Sequence, residues 1–217
     1  MKYKYPDLRT LVFARAPVAG QVKTRMAARL PDQQVLNLYR ALLHRVLHLV
    51  LDSKLAPAQL WLAGSWPAGE PDRVPATLPV FLQQGRDLGE RMARAVQAGL
   101  EEAEGVILIG CDCPALDRDY LDNALAALAA GHEVVIGPAE DGGYVLLGLR
   151  RCVPELFEDL PWGTERVLGM SLERLSRLGL QPVLLPALWD VDRPEDLDRL
   201  SGLHPPLTVD QWSPDTA

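Results

Sequence analysis

The sequence predicts an α/β fold, a three-layer arrangement in which a mostly parallel central sheet lies between helices. Short apolar, partly β-branched runs alternate along the chain with stretches of helical periodicity, the pattern of strand–helix units winding a parallel sheet. The run Val106-Ile107-Leu108-Ile109 has no polar alternation, as expected of a central parallel strand covered on both faces. One domain is expected over residues 1–203, followed by an irregular tail over 204–217 rich in proline.

The elements follow in order. Thr10–Ala14 reads as a buried first strand ending at a loop that carries Pro17, Gly20 and several charges. From Asp32 to about Asp52, Leu36, Tyr39, Leu43, Val46 and Val50 recur at steps of three and four, which makes one apolar helical face. A second strand is expected at Gln59–Ala63 and, after a Pro- and Gly-rich surface loop through Pro79, a third at Val80–Gln83. Asp87 three residues ahead of Glu90 has the spacing of a capping box, so a helix should run from Leu88 to about Glu104, broken by Gly105. After the central strand come a helix from about Arg118 to Ala130, a strand at Glu133–Ile136 and a loop–strand unit through Leu149. A helix over about Glu165–Leu178, a strand at Pro182–Leu185 and a helix opened by Pro194 complete the domain.

Composition excludes some functions. The chain has 217 residues, 22 basic against 29 acidic, and a net charge of −7, which disfavours binding nucleic acid through counterion release. A local basic loop can still hold the phosphates of a small molecule. Cys111, Cys113 and Cys152 form neither a disulfide framework nor a zinc spacing, which fits a reducing compartment. No export signal and no run of about 18 apolar residues is visible, so a cytoplasmic protein without membrane contact is expected. The oligomeric state is not legible.

Several segments could carry chemistry. The loop from Ala14 to Arg25 combines Gly20, the cations Arg15, Lys23 and Arg25, and the Thr24 hydroxyl just before a predicted helix, which suits a phosphate cradle, although a solvated basic loop is the usual fate of such a short charge cluster. It is not a Walker A loop, because Val22 stands where that pattern has a glycine before its lysine. Asp112 should emerge at the C-terminal edge of the central strand, where open α/β sheets place their ligands and a carboxylate suits Mg²⁺ or Mn²⁺. Asp190 and Asp192 flank Val191, so in an extended segment both carboxylates point the same way, towards one cation or towards Asp112. Asp192 could instead cap the helix at Pro194. Asp141-Gly142-Gly143-Tyr144 places an acid beside two glycines that allow close backbone approach to a ligand, and reads also as a tight turn. Cys111 and Cys113 read as packing residues, and His44 and His48 as an exposed helix face.

Taken together, Phe13–Pro17, Gly20–Arg25, Leu88–Met92, Gly110–Pro114, Gly137–Tyr144, Trp162–Thr164 and Asp190–Leu197 resemble the bacterial DUF2064 family, whose members are also called arsenosugar-biosynthesis glycosyltransferases or radical-SAM/selenodomain-associated transferases. The resemblance implies the Rossmann-like GT-A fold of nucleotide-diphospho-sugar transferases. It also implies a metal-dependent transferase using a nucleotide-activated donor and a small-molecule acceptor, with glycosyl transfer favoured. The Lys23–Arg25 loop and the Asp190–Asp192 segment look as well like those of 2-phospholactate guanylyltransferases, which keeps open a nucleotidyltransferase that takes a nucleoside triphosphate; a non-catalytic nucleotide-binding scaffold is the third reading. On this resemblance Asp112, with Asp190 or Asp192, would hold Mg²⁺ or Mn²⁺ on the donor phosphates. Arg15, Lys23 and Arg25 would neutralise phosphate oxygens. Gln84, Glu90 and Arg91 would contact base and ribose, Asp141 would orient or deprotonate an acceptor hydroxyl, and Trp162 would stack on the acceptor. Arg15 stands where the family usually has lysine.

Overall fold

The computed structural model describes residues 2–66, 74–203 and 207. The expected irregular tail, apart from Leu207, and residues 67–73 of the Pro- and Gly-rich loop lie outside the described residues. Seven strands, β1 (Leu8–Arg15), β2 (Ala58–Ala63), β3 (Val80–Leu82), β4 (Gly105–Gly110), β5 (Val134–Pro138), β6 (Tyr144–Leu149) and β7 (Val183–Leu184), form one sheet in the order β3-β2-β1-β4-β6-β5-β7. Among the described residues four α-helices accompany them: α1 (Asp32–Ser53), α2 (Leu88–Glu102), α3 (Arg118–Ala129) and α4 (Val167–Arg177). The mostly parallel α/β sheet is therefore present as expected. Among the described residues no helix is long and apolar enough to cross a membrane.

Strand alternation sorts the core into two layers. Val12, Ala14, Ile107 and Ile109 face α1 and α3, where Leu36, Tyr39, Leu43 and Val46 present the predicted helical stripe. Leu11, Phe13, Val106 and Leu108 face the opposite way, against Met92, Ala95 and Val96 of α2 and Leu175 of α4. Most of these side chains are almost wholly removed from water. Each buried leucine or valine contributes about 2 kcal/mol through the apolar area it hides. A smaller cluster joins Met26, Val35, Leu38 and Leu42 to Val191 and Leu200. It seats two 3₁₀ helices, Thr24–Ala28 and Pro194–Gly202, beside α1.

Several expectations change. Although β4 runs parallel to β1, it pairs antiparallel with β6, so it is not flanked by parallel strands on both sides. The cause is the short connection from β5 to β6, which cannot make a crossover and closes a hairpin instead. The segment opened by Pro194 is a 3₁₀ rather than an α-helix, and α4 begins at Val167, slightly later than expected. At the start of α2 the Asp87 carboxylate accepts from the Glu90 N–H at 2.8 Å, but Glu90 reaches the Arg86 N–H at 2.9 Å instead of that of Asp87. Only half of the reciprocal box forms.

The topology locates a crevice. From β1 the sheet extends through β2 on one side and β4 on the other, and the diverging connections leave space at the carboxyl ends of these strands. Phe13 lies opposite Gly110 in the parallel register, so Arg15 and Asp112 emerge side by side just beyond the paired residues.

Candidate active site

A cleft of about 610 Å³ opens at these carboxyl ends. Arg15 is set by the helix behind it: the Tyr39 hydroxyl of α1 accepts from the Arg15 N–H at 2.8 Å and donates to the Arg15 carbonyl at 2.9 Å. An apolar helix face thus carries the polar group that fixes the end of β1. Burial pushes the Tyr39 phenol far above its usual range, so it remains a neutral donor and acceptor.

Beyond Arg15 the chain bends to Lys23, whose backbone is left-handed at φ 45°. The ammonium lies 2.9 Å from Asp112 Oδ1 and also donates to the Val191 carbonyl. Burial by itself would lower this group's pKa, but the Asp112 carboxylate outweighs that effect and holds it above the usual lysine value. The site therefore contains a fixed positive charge.

Val191 is the third anchor. Its side chain is fully buried, its N–H donates to the Asp112 carbonyl at 2.9 Å, and its carbonyl receives Lys23. With Val191 locked, both flanking carboxylates line the cleft as alternation predicts. Asp192 pairs with Arg25. Its N–H and that of Arg193 donate to Asp196, so Asp196 stabilises the entry to the 3₁₀ turn. The Asp190 acid is pushed up to about 6, by burial first and then by the Asp141 carboxylate, with Asp112 and Asp192 adding to the effect and Lys23 opposing it. Four carboxylates thus crowd one field.

The opposite wall comes from the β5–β6 hairpin and the chain before α4. Asp141 caps its own turn, accepting from the Gly143 N–H at 2.9 Å, and also lines the cleft. Gly142 has φ +89°, and a Cβ there would lie 2.3 Å from the Glu165 carbonyl oxygen; it holds the turn against the chain and does not line the cleft. Gly143, Tyr144 and Trp162 line it, with the indole edge-on to the Tyr144 ring at 6.0 Å between centroids. Trp162 is seated by Gly89 of α2, where a Cβ would meet the Phe157 carbonyl at 2.0 Å and the indole nitrogen at 2.8 Å. The bare position at Gly89 lets two segments approach.

The structure brings Arg15, Lys23, Thr24, Arg25, Arg91, Asp112, Asp141, Gly143, Tyr144, Trp162, Asp190 and Asp192 to one cleft. It leaves Gln84 and Glu90 outside. Gln84 is exposed, and strand alternation turns Gln83 inward instead, where its amide donates to the carbonyls of Ala14 and Trp61. Both Glu90 oxygens are engaged by Arg86 and Arg94, which pull its acid down to about 2. Sequence reasoning missed Gln83 and the polar part played by Tyr39. The signal for each was available: the parity of the Val80–Gln83 strand, and a phenol on a buried face that requires a partner. Cys111 and Cys113 are buried, and burial pushes the Cys113 thiol up to about 12, in keeping with a packing role.

Among the described residues no three His, Cys, Asp or Glu side chains converge as a ready-made metal centre. The carboxylates nevertheless fit a hard divalent cation, because Mg²⁺ and Mn²⁺ commonly take one or two carboxylates and complete their shells with water and phosphate oxygens. The mutual repulsion that lifts Asp190 is also what such a cation would relieve.

A family profile matches residues 46–164, more than half the chain, including α2, β4, the Asp112 loop and the Asp141 turn. The chain belongs to the DUF2064 family. That family is described as "Uncharacterized protein conserved in bacteria". This DUF2064 protein superposes on a crystal structure from Desulfovibrio desulfuricans G20, described as a "putative nucleotide-diphospho-sugar transferase", with TM-score 0.83 and 29% identity over 96% of this chain and 92% of that one. More distant likenesses establish the fold alone. The CMP:2-keto-3-deoxy-manno-octonic acid synthetase complexed with CTP matches at TM-score 0.55 and 13% identity, over 92% of this chain and 98% of that one. Rv0371c from Mycobacterium tuberculosis H37Rv, in its manganese complex, matches at 0.57 and 18%, over 90% and 97%. The GT-A-like fold expected of the DUF2064 protein is thereby supported. Among curated proteins there is no match.

Proposed function

We propose that this DUF2064 protein, as one domain over residues 1–203, transfers a group from a nucleotide-activated donor with the help of Mg²⁺ or Mn²⁺, and that the group is a sugar. The observation that carries this reading is the Lys23–Asp112 pair at the β1–β4 crevice, with Asp190 and Asp192 beside it. A fixed ammonium among carboxylates suits a ligand that brings both phosphate and a divalent cation. Kinship with the D. desulfuricans protein supports a nucleotide-sugar donor, and the manganese complex of the mycobacterial fold relative is consistent with the cation.

In this reading Asp112 and Asp190 would hold the cation, which when bound would supply charge stabilisation to a diphosphate leaving group. Arg15, Lys23 and Arg25 bind phosphate oxygens through charge-assisted hydrogen bonds. Asp141 uses one oxygen in its own turn and keeps the other for an acceptor hydroxyl, which it orients and whose proton it takes as the new glycosidic bond forms. Trp162 and Tyr144 offer the acceptor an aromatic wall. Arg91 and Gln83, rather than Gln84 and Glu90, are the side chains in reach of the donor's base and ribose.

A second reading, nucleotidyl transfer from a triphosphate, is favoured by one feature: Lys23, Thr24 and Arg25 form a continuous polar rim that could follow a third phosphate. Product analysis separates the two. Release of a nucleoside diphosphate from a panel of nucleotide sugars supports glycosyl transfer, and pyrophosphate from a triphosphate supports nucleotidyl transfer. If Asp112→Ala leaves nucleotide binding and all turnover unchanged, both readings fail and a non-catalytic scaffold remains.

A further inference from the structure

We propose that Lys23 is a resident counter-cation that weakens divalent-metal binding at Asp112 until a donor phosphate shares its ammonium, so that metal and donor bind together. The inference rests on the donor-site reading above. It begins from an asymmetry of burial: the Lys23 side chain is 6% exposed while its partner Asp112 is 45% exposed. The ammonium is held from below, and the carboxylate faces the cleft. Arg25 and Asp192 form the neighbouring pair, but with 57% and 33% exposure that contact is a solvated one that water and salt readily replace.

Three parts of the chain meet on one ammonium: the loop carrying Lys23, the end of β4 at Asp112 and the segment at Val191. Of its three protons, two go to Asp112 and the Val191 carbonyl, and the residue still lines the cleft, so the third can reach a phosphate. A divalent ion bound to Asp112 alone would lie within a few ångströms of this buried positive charge, and the repulsion would weaken it. A phosphate changes the balance, because it gives the ammonium a second anion and supplies oxygens to the metal. Each ligand then strengthens the other by the same factor. The Lys23 side chain, almost wholly buried, lacks the freedom of a surface lysine.

The test measures Mn²⁺ binding by electron paramagnetic resonance and calorimetry, with and without GTP, CTP or UDP-glucose, in the wild type, Lys23→Met and Lys23→Arg. The wild type should bind Mn²⁺ weakly alone and about tenfold more tightly with a nucleotide that fits. Lys23→Met should bind Mn²⁺ alone about tenfold more tightly than the wild type and show measurably weaker coupling, while Lys23→Arg, which keeps the charge, should retain the wild-type coupling. Equal Mn²⁺ affinity in the wild type and Lys23→Met, with nucleotide binding intact, overturns this inference alone. A wild type that binds neither Mn²⁺ nor any nucleotide overturns the donor-site reading and the inference with it. Should Lys23→Met fail to fold by circular dichroism, the wild-type measurement decides: independent binding of Mn²⁺ and nucleotide overturns the proposal.

Discussion

The Arg199 guanidinium grips the Glu140 carboxylate with two nitrogens, at 2.7 and 3.1 Å, one residue before Asp141. Its other face lies over the Trp189 ring at 4.5 Å from the centroid, one residue before Asp190. A side chain on the C-terminal 3₁₀ helix therefore braces two candidate acids from outside the cleft. Arg199→Ala should lower kcat about tenfold and weaken donor affinity to a smaller extent, because it loosens the segment of Asp141 directly through Glu140 and that of Asp190 only through Trp189. Steady-state kinetics and nucleotide titration check this; a change confined to donor affinity would oppose it.

The raised acid of Asp190 has a sign that can be tested in metal-free protein. The native state holds this proton more tightly than the unfolded chain, so stability should fall as pH rises from about 4, where the unfolded Asp ionises, through about 6. Asp190→Asn should remove that decline and raise stability at pH 7 by about 1 kcal/mol, the shift being discounted for partial exposure. Urea unfolding across pH, with metal chelated, measures it. Mn²⁺ with nucleotide should reverse the advantage.

Two glycines in helices should respond oppositely to alanine. Gly169 of α4 has open space around a would-be Cβ, so Gly169→Ala should stabilise the protein by about 1 kcal/mol through helix propensity. Gly89→Ala should destabilise by about 3 kcal/mol, because the Cβ collides with the Phe157 carbonyl, and it should disturb the environment of Trp162. Thermal unfolding and tryptophan fluorescence separate the cases.

Tyr39→Phe leaves the Arg15 N–H and carbonyl without their partner at the end of β1. A loss of about 2 kcal/mol is expected from the unmet groups, with a larger proportional effect on donor affinity than on the turnover of bound donor. Chemical unfolding and nucleotide titration read both.

Much of this architecture is legible in the sequence because its signals are local. The short apolar run Thr10–Ala14, and the stripe from Leu36 to Val50, identify β1 and α1 to within a few residues. The parity of Asp190 and Asp192 about Val191 anticipates that both side chains line the cleft that Asp112 also lines. The antiparallel sense of β6 was not legible, since the apolar run Val145–Leu149 suits either direction and only the brevity of the turn before it decides. Glu90 misled for a similar reason: the partners that occupy it, Arg86 and Arg94, are visible as sequence neighbours, but only the helix shows that both reach its carboxylate. Lys23 could be read as a cation, whereas its burial depends on Val191, 168 residues away.

That separation bears on biogenesis. During synthesis β1 to β6 leave the ribosome before Trp189–Asp192, so most of the sheet and both helical layers can consolidate while Asp112 still lacks the backbone partner that steadies it. The last segment then closes over a formed scaffold and couples maturation of the acidic pocket to completion of the polypeptide, so that a prematurely terminated chain would retain a sheet yet carry no assembled centre.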